Sequence, residues 1–203
     1  MRDPNWTGRT VACIASGPSL TPGDCERVRQ AGLPTIAVNN AGLDMAPWAD
    51  IHHACDGRWW HAHPEALAFD RPKFCLVDDP PAGVRKLNLV SGGGLDDRPD
   101  TVRAGQNSGY QALHLAAVNF GAARVILLGY DMQHTGGAVH YHGRHPAPLR
   151  NPAVKDMPGW VAHFDAVAPE LERRGVDVLN ASRATALTCF QRVALEEVLP
   201  CPV

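Results

Sequence analysis

The sequence has no excess of basic charge. Nineteen lysines and arginines stand against 21 acidic residues, a net charge of −2. Without a basic stripe, tight nonspecific binding of nucleic acid is not expected. No apolar run reaches the roughly 18–20 residues that a membrane-spanning helix needs. Met1-Arg2-Asp3-Pro4-Asn5 is polar and acidic and does not read as a signal peptide. The six cysteines (Cys13, Cys25, Cys55, Cys75, Cys189 and Cys201) lack C-x-x-C spacing. Reduced, mostly buried thiols in a cytoplasmic protein fit them better than a disulfide frame. Repeats and low-complexity linkers are missing too. So are the G-x-S-x-G elbow and the Ser/His/Asp order of acyl transfer. The lysine of a Walker A loop and the three glycines of a dinucleotide loop are also absent.

What is present suits one α/β domain. The chain has 203 residues, 45% of them hydrophobic, enough for a single well-packed core. Val11 to Ala15 reads as a buried parallel strand that stops at Ser16-Gly17-Pro18-Ser19. A short helix over Asp24–Ala31 follows, then a strand at Thr35–Val38 that ends in Asn39-Asn40. Asp50–Ala54 reads as a third strand and Gly57–Leu67 as a helix. Lys73–Val77 and Lys86–Val90 are candidate strands. Ser108–Phe120 is the clearest helix, closed by Gly121, and Arg124–Leu128 the clearest strand. A long loop from Met132 to Pro158 is a candidate lid. Gly159–Arg174 reads as a helix and Val176–Leu179 as a last strand. The alternation implies a mostly parallel sheet with helices on both faces. Right-handed crossovers would gather the strand-end loops at one sheet edge.

Polar residues follow five of these strands: Ser16 and Ser19, Asn39 and Asn40, Asp56, Asp131, and Asn180 with Ser182. Gathered at one edge, they would make a polar cleft where open α/β sheets bind ligands. Gly17 would let a phosphate approach the backbone, and the two serines add hydroxyl donors. A plain strand-to-helix turn explains the same residues. Gln106-Asn107-Ser108-Gly109 opens the long helix. Asn107 or Ser108 is a natural cap there, and the free N–H groups of that helix end favour a phosphate or carboxylate. The amides of Asn39 and Asn40 suit a base or sugar, or simply a turn. In the loop, His140-x-His142-x-x-His145 has a spacing that zinc accepts. No cysteine or carboxylate stands beside it, so no metal site is assigned. A lid histidine or Tyr141 acting on a transferred group is the stronger expectation. Asp56 and Arg58 are candidate substrate contacts. Of the adjacent Trp59 and Trp60, one is expected in the core and the other at the cleft. The acidic pairs Asp78-Asp79 and Asp96-Asp97 suit solvated turns, or a divalent ion held with a diphosphate.

Gly17-Pro18-Ser19-Leu20, Asn39-Asn40, Ser108-Gly109-Tyr110, Gly121 and Ile126-Leu127-Leu128-Gly129-Tyr130-Asp131 recur in this order. The pattern resembles the bacterial sialyltransferases that use a CMP-sugar. It also resembles the archaeal 6-hydroxymethylpterin diphosphokinase group and related phage and prophage proteins. The resemblance spans roughly residues 11 to 190. It implies a Rossmann-like fold of the glycosyltransferase A-like kind in one domain, residues 1–203. It places Ser16, Gly17, Pro18, Ser19, Asn39, Asn40, Ser108 and Gly109 around a nucleotide, Asp131 near ribose, sugar or acceptor, and Tyr141 near the leaving phosphate. The sialyltransferase base is a histidine just before the last long helix, where this chain has Met157-Pro158-Gly159. The base is therefore sought among His140, His142, His145 and His163. The first loop also has Ala15-Ser16 where the sialyltransferases have Gly-Asn.

The expectation is a nucleotide-dependent transferase, foremost a glycosyltransferase with a nucleotide-sugar donor. No permanently bound cofactor is implied, and the acceptor would be a glycan or a modified nucleotide. A pyrophosphokinase acting on a small hydroxymethyl compound is the alternative, and it alone would need Mg2+. A catalytically inactive nucleotide-binding phage protein is the third reading. An oligomer is compatible with the sequence.

Overall fold

In the computed structural model, which describes residues 4–199, the first apolar run forms strand β1 (Thr10–Ile14). Met1-Arg2-Asp3 and Cys201 lie outside the described residues. Thr21 then caps α1 (Pro22–Gln30). Its hydroxyl accepts from the Asp24 N–H while the Asp24 carboxylate accepts from the Thr21 N–H, and Pro22 fills a first-turn position that needs no N–H. Strands β2 (Thr35–Val38) and β3 (Ile51–His53) follow, then α2 (Gly57–Ala62), β4 (Lys73–Cys75) and β5 (Arg85–Lys86). A side sheet pairs β6 (Asn88–Val90) with β7 (Thr101–Arg103). The chain returns through α3 (Ser108–His114), which continues as a π-helical turn over Leu115–Asn119. It ends with β8 (Arg124–Leu128), α4 (Met157–Arg173), β9 (Asp177–Asn180), β10 (Gln191–Arg192) and α5 (Leu195–Val198).

Among the described residues, eight strands make the main sheet in the order β10-β9-β8-β1-β2-β3-β4-β5. Each strand pairing in it is parallel. The fold is α/β and Rossmann-like. The chain runs outward from β1 to β5, then restarts beside β1 with β8 and runs outward the other way. The crevice beyond the carboxyl ends of β1 and β8 is therefore the topological switch point, where such sheets place ligands.

Side-chain alternation decides how the layers pack. Val11 and Cys13, Ile36 and Val38, and Val125 and Leu127 face one side, against Tyr110, Leu113 and Ala116 of the α3 segment and Phe164, Val167 and Leu171 of α4. Ala12 and Ile14, Ala37, and Ile126 and Leu128 face the other, against Cys25 and Val28 of α1 and Leu195 of α5. These central strands are apolar throughout because both faces are covered. The five described cysteines are free, with Cys13, Cys25 and Cys75 buried.

Three expectations need correction. Lys86–Val90 is not one strand. Leu87 turns into the core, and the chain leaves the main sheet at Lys86 to begin the side sheet at Asn88. The helix at Gly57 ends at Ala62, because Pro64 disfavours helical backbone at His63 (φ −128°, ψ 62°), and a 3-10 turn continues over Pro64–Ala68. The last long helix begins at Met157, with Pro158 in its first turn, so the preceding loop is shorter at that end. Strands β7 and β10 and helix α5 span two to four residues each, too short for periodicity to reveal.

Candidate functional site

The loops after β1 and β8 are stitched to each other. The Gly17 N–H donates to the Gly129 carbonyl at 2.8 Å. The Ser19 N–H and hydroxyl donate to Asp131 at 2.9 and 2.8 Å, and the Thr135 hydroxyl donates to it at 2.7 Å. A Cβ on Gly17 would stand 2.1 Å from Asp131 Oδ1 and 2.4 Å from the Gly129 oxygen. Gly17 is thus required by the neighbouring loop, whatever ligand it meets. Asp131 is 1% exposed. Burial, the largest influence, raises its pKa, while the Thr135 and Ser19 bonds pull the other way. Its carboxylate holds two loops in place.

A cavity of about 220 Å³ opens beside this junction. The ends of β1, β2 and β8, the start of α3, the loop after β8 and the first turn of α4 all contribute to its wall. Ser16, Gly17, Pro18, Asn39, Ser108, Gly109, Asp131, His140 and His145 line it, so nine of the expected site residues meet there. Asn107, not Ser108, caps α3, accepting from the Tyr110 N–H at 2.9 Å. The Ser108 hydroxyl accepts from the Cys55 N–H at 3.3 Å. A Cβ on Gly109 would meet the Tyr130 ring at 3.0 Å, so its smallness serves the packing of the loop after β8 against α3.

The other expected residues lie elsewhere. Ser19 is taken up by Asp131. The Asn40 side chain accepts from Trp59 Nε1 at 2.8 Å. Asp56 caps α2 and binds the Arg58 guanidinium, with Nη2 at 2.7 Å. The Tyr141 hydroxyl donates to Asp44, and its N–H to the Ser16 carbonyl. His142 stacks on His140. His163 packs near Gly93 and Tyr110, away from the cavity. Neither Trp59 nor Trp60 reaches the cleft. At 3% and 1% exposed, both are core residues, because the short α2 is covered on two faces. Asn180 and Ser182 are buried supports, the Ser182 hydroxyl accepting from the Tyr130 N–H. The acidic pairs answer to basic neighbours: Asp78 to Lys86, Asp96 to Arg98, and Asp97 to Arg174.

The cavity also gathers residues that the sequence did not single out: Gln133, Arg150 and Trp160. Each is brought in by the loop after β8 or by the start of α4, and only the path of that loop decides it. A tryptophan just inside a helix start was the one available signal. The amides of Asn39, Gln106 and Gln133 and the guanidinium of Arg150 have no partner among the described residues. Among the described residues, four non-glycines have positive φ, and three of them line this cavity: Asn39 (50°), Gln106 (63°) and Met132 (48°). Such backbone is unfavourable and clusters where a ligand site needs it. A wider depression of about 490 Å³ beside Arg183 and Glu196 lacks these features, and its Arg183 is engaged by Asp24 at 2.7 Å.

The loop that roofs the cavity is tied down at several points. His145 and Asn151 exchange hydrogen bonds, the His145 N–H to Asn151 Oδ1 at 2.7 Å and Asn151 Nδ2 to the His145 carbonyl at 3.0 Å. His134 bonds the Pro152 carbonyl at 3.3 Å. No described helix is long and apolar enough to cross a membrane. No protein-family model, no curated protein and no solved structure matches the chain.

Proposed function

We propose that this cavity binds a nucleotide donor and that the protein is a nucleotide-dependent transferase, foremost a glycosyltransferase. The observation that carries the proposal is the set of unpartnered polar groups facing one cavity at the switch point. Amides such as those of Asn39, Gln106 and Gln133 carry both donors and acceptors, the complement of a base or ribose edge. Trp160 offers a face on which a base stacks. Arg150 and the α3 N–H groups meet phosphate oxygens. In the transfer, the bond between the sugar carbon and the phosphate oxygen breaks as the acceptor hydroxyl oxygen bonds that carbon. The hydroxyl proton passes to a cavity histidine, His140 or His145, and the nucleotide leaves with its phosphate. The resemblance of the motif order to that of CMP-sugar transferases supports the same reading.

Calorimetric titration with CMP, UDP, GDP and ATP tests it. One nucleotide is expected to bind, and Trp160→Ala to weaken that binding without lowering the melting temperature. Loss of one stacked base contact is worth ~1–3 kcal/mol, roughly 5- to 150-fold in affinity. Failure of all four nucleotides to bind would refute the proposal.

A further inference from the structure

We propose that His140, His142 and His145 form an anion subsite for phosphoryl oxygens, and that the cluster takes one proton from solvent as the anion binds. The inference rests on the nucleotide reading of the cavity and names the subsite for the donor's phosphate.

The three rings are in mutual contact. His140 and His142 stack at 5.0 Å with planes 13° apart, and His145 stands 4.8 Å from His140 and 4.7 Å from His142. The Nε2 atoms of His140 and His142 are buried without a hydrogen-bond partner. A buried polar nitrogen left unpaired is unfavourable and marks a place where a group is missing. His140 and His145 line the cavity beside Arg150. His140 thus joins the buried nitrogens to the cavity wall, with His142 stacked behind it.

Its charge follows from the neighbours. His63 at the end of α2 and His134 in the same loop add further imidazoles. The carboxylates facing the cluster are Asp44 and Asp131. The first is engaged by Tyr141, the second by Ser19 and Thr135. Arg150 has no ion-pair partner among the described residues. The region thus sets several imidazole nitrogens and the Arg150 guanidinium beside two carboxylates whose oxygens already accept from hydroxyls, which leaves the nitrogens to an anion. Among the described residues, no group of three His, Cys, Asp or Glu side chains is arranged to hold a metal ion. A phosphoryl group, with oxygens spread over its surface, suits nitrogens that do not converge on one point.

The proton follows from the same geometry. Burial first, and repulsion between the rings second, hold His140 at about 3 and His145 at about 4, so the empty cluster is neutral at pH 7. A bound anion reverses the unfavourable field and stabilises one imidazolium. A second charged ring would stand about 5 Å from the first, so the uptake stops at one. The other two rings stay neutral while the anion is bound.

Calorimetry at pH 7 in two buffers of different ionisation enthalpy reads the proton count directly. The probes are CMP, UDP, GDP and ATP, each against its phosphate-free nucleoside, together with inorganic pyrophosphate. Binding of the phosphate-bearing probes is expected to take up about one proton, and binding of nucleosides none. Nucleotide affinity should rise close to tenfold per pH unit as pH falls from 8 to 6. His142→Gln and the double variant H140Q/H145Q should lose the uptake while still binding the nucleoside. Nucleotide binding with no proton uptake in the wild-type protein would overturn the inference and leave the nucleotide reading standing. Pyrophosphate binding with proton uptake, when every nucleotide and nucleoside fails, would support the anion subsite and end the nucleotide reading. Stoichiometric Zn2+ binding that the histidine variants lose would overturn the inference and make the cluster a metal centre.

Discussion

Replacing Gly17 with alanine separates two roles for one glycine. If Gly17 served only a bound phosphate, Gly17→Ala would weaken ligand binding and leave the fold alone. The geometry requires a larger effect. The new methyl group would overlap Asp131 Oδ1 at 2.1 Å and the Gly129 carbonyl oxygen at 2.4 Å. Neither can withdraw cheaply, since Gly129 is backbone and Asp131 is held by Ser19 and Thr135. Relieving the overlap moves the β1 loop away from the β8 loop. Overpacking of this kind costs about 1–3 kcal/mol. Losing the Gly17 to Gly129 hydrogen bond, with its carbonyl left buried, adds about 1–3 kcal/mol more. The expected loss is therefore about 4 kcal/mol, a fall of roughly 8–16 °C in melting temperature for a chain of this length. Urea titration followed by circular dichroism measures the first quantity, and a thermal scan the second. A variant within 1 kcal/mol of the wild type, with ligand binding lost, would refute this account and return Gly17 to the phosphate.

Acid should destabilise the protein through three interior histidines. His52, His53 and His114 are at most 2% exposed, and burial lowers each to about 4 from an ordinary 6.5. The unfolded chain binds the extra protons first, so stability is complete above about pH 6.5 and falls as pH drops toward 4, by about 2 kcal/mol per histidine at pH 5. Urea midpoints that stay flat from pH 7 to 5 would contradict it. Arg183→Ala removes two hydrogen bonds to the buried Asp24 carboxylate. Because the Arg183 side chain is 54% exposed, the expected loss is only about 1 kcal/mol, within the range of solvent-screened pairs. Asp24→Ala removes the α1 capping box as well and should cost about 1 kcal/mol more. Equal midpoints for the two variants would count against the cap.

Much of the fold was legible because the central strands carry local signals. Thr35–Val38 and Arg124–Leu128 match the structure residue for residue, since apolar runs bounded by turns need no distant information. The candidate site was half legible. Ser16, Gly17, Asn39 and Ser108 sit at strand and helix ends that periodicity locates, and parallel topology brings such ends together. Asn40 and Asp56 carry the same local pattern but were claimed by Trp59 and Arg58. Which of two adjacent asparagines faces the cavity depends on Asn39 adopting positive φ, and no neighbouring residue announces that.

By itself, then, the sequence determined the alternating elements, the parallel sheet and the set of loops at its carboxyl edge, because hydrophobic period and turn chemistry are local properties. The tertiary structure alone decided what those loops hold. It assigned Gly17 and Asp131 to each other, withdrew Ser19, Tyr141 and His163 from the cavity, and brought in Gln133, Arg150 and Trp160. Those assignments depend on the path of a loop that Tyr141 ties to Ser16 and Asp44, residues far away in the chain. Contacts of that range are set by packing, and no window of sequence contains them.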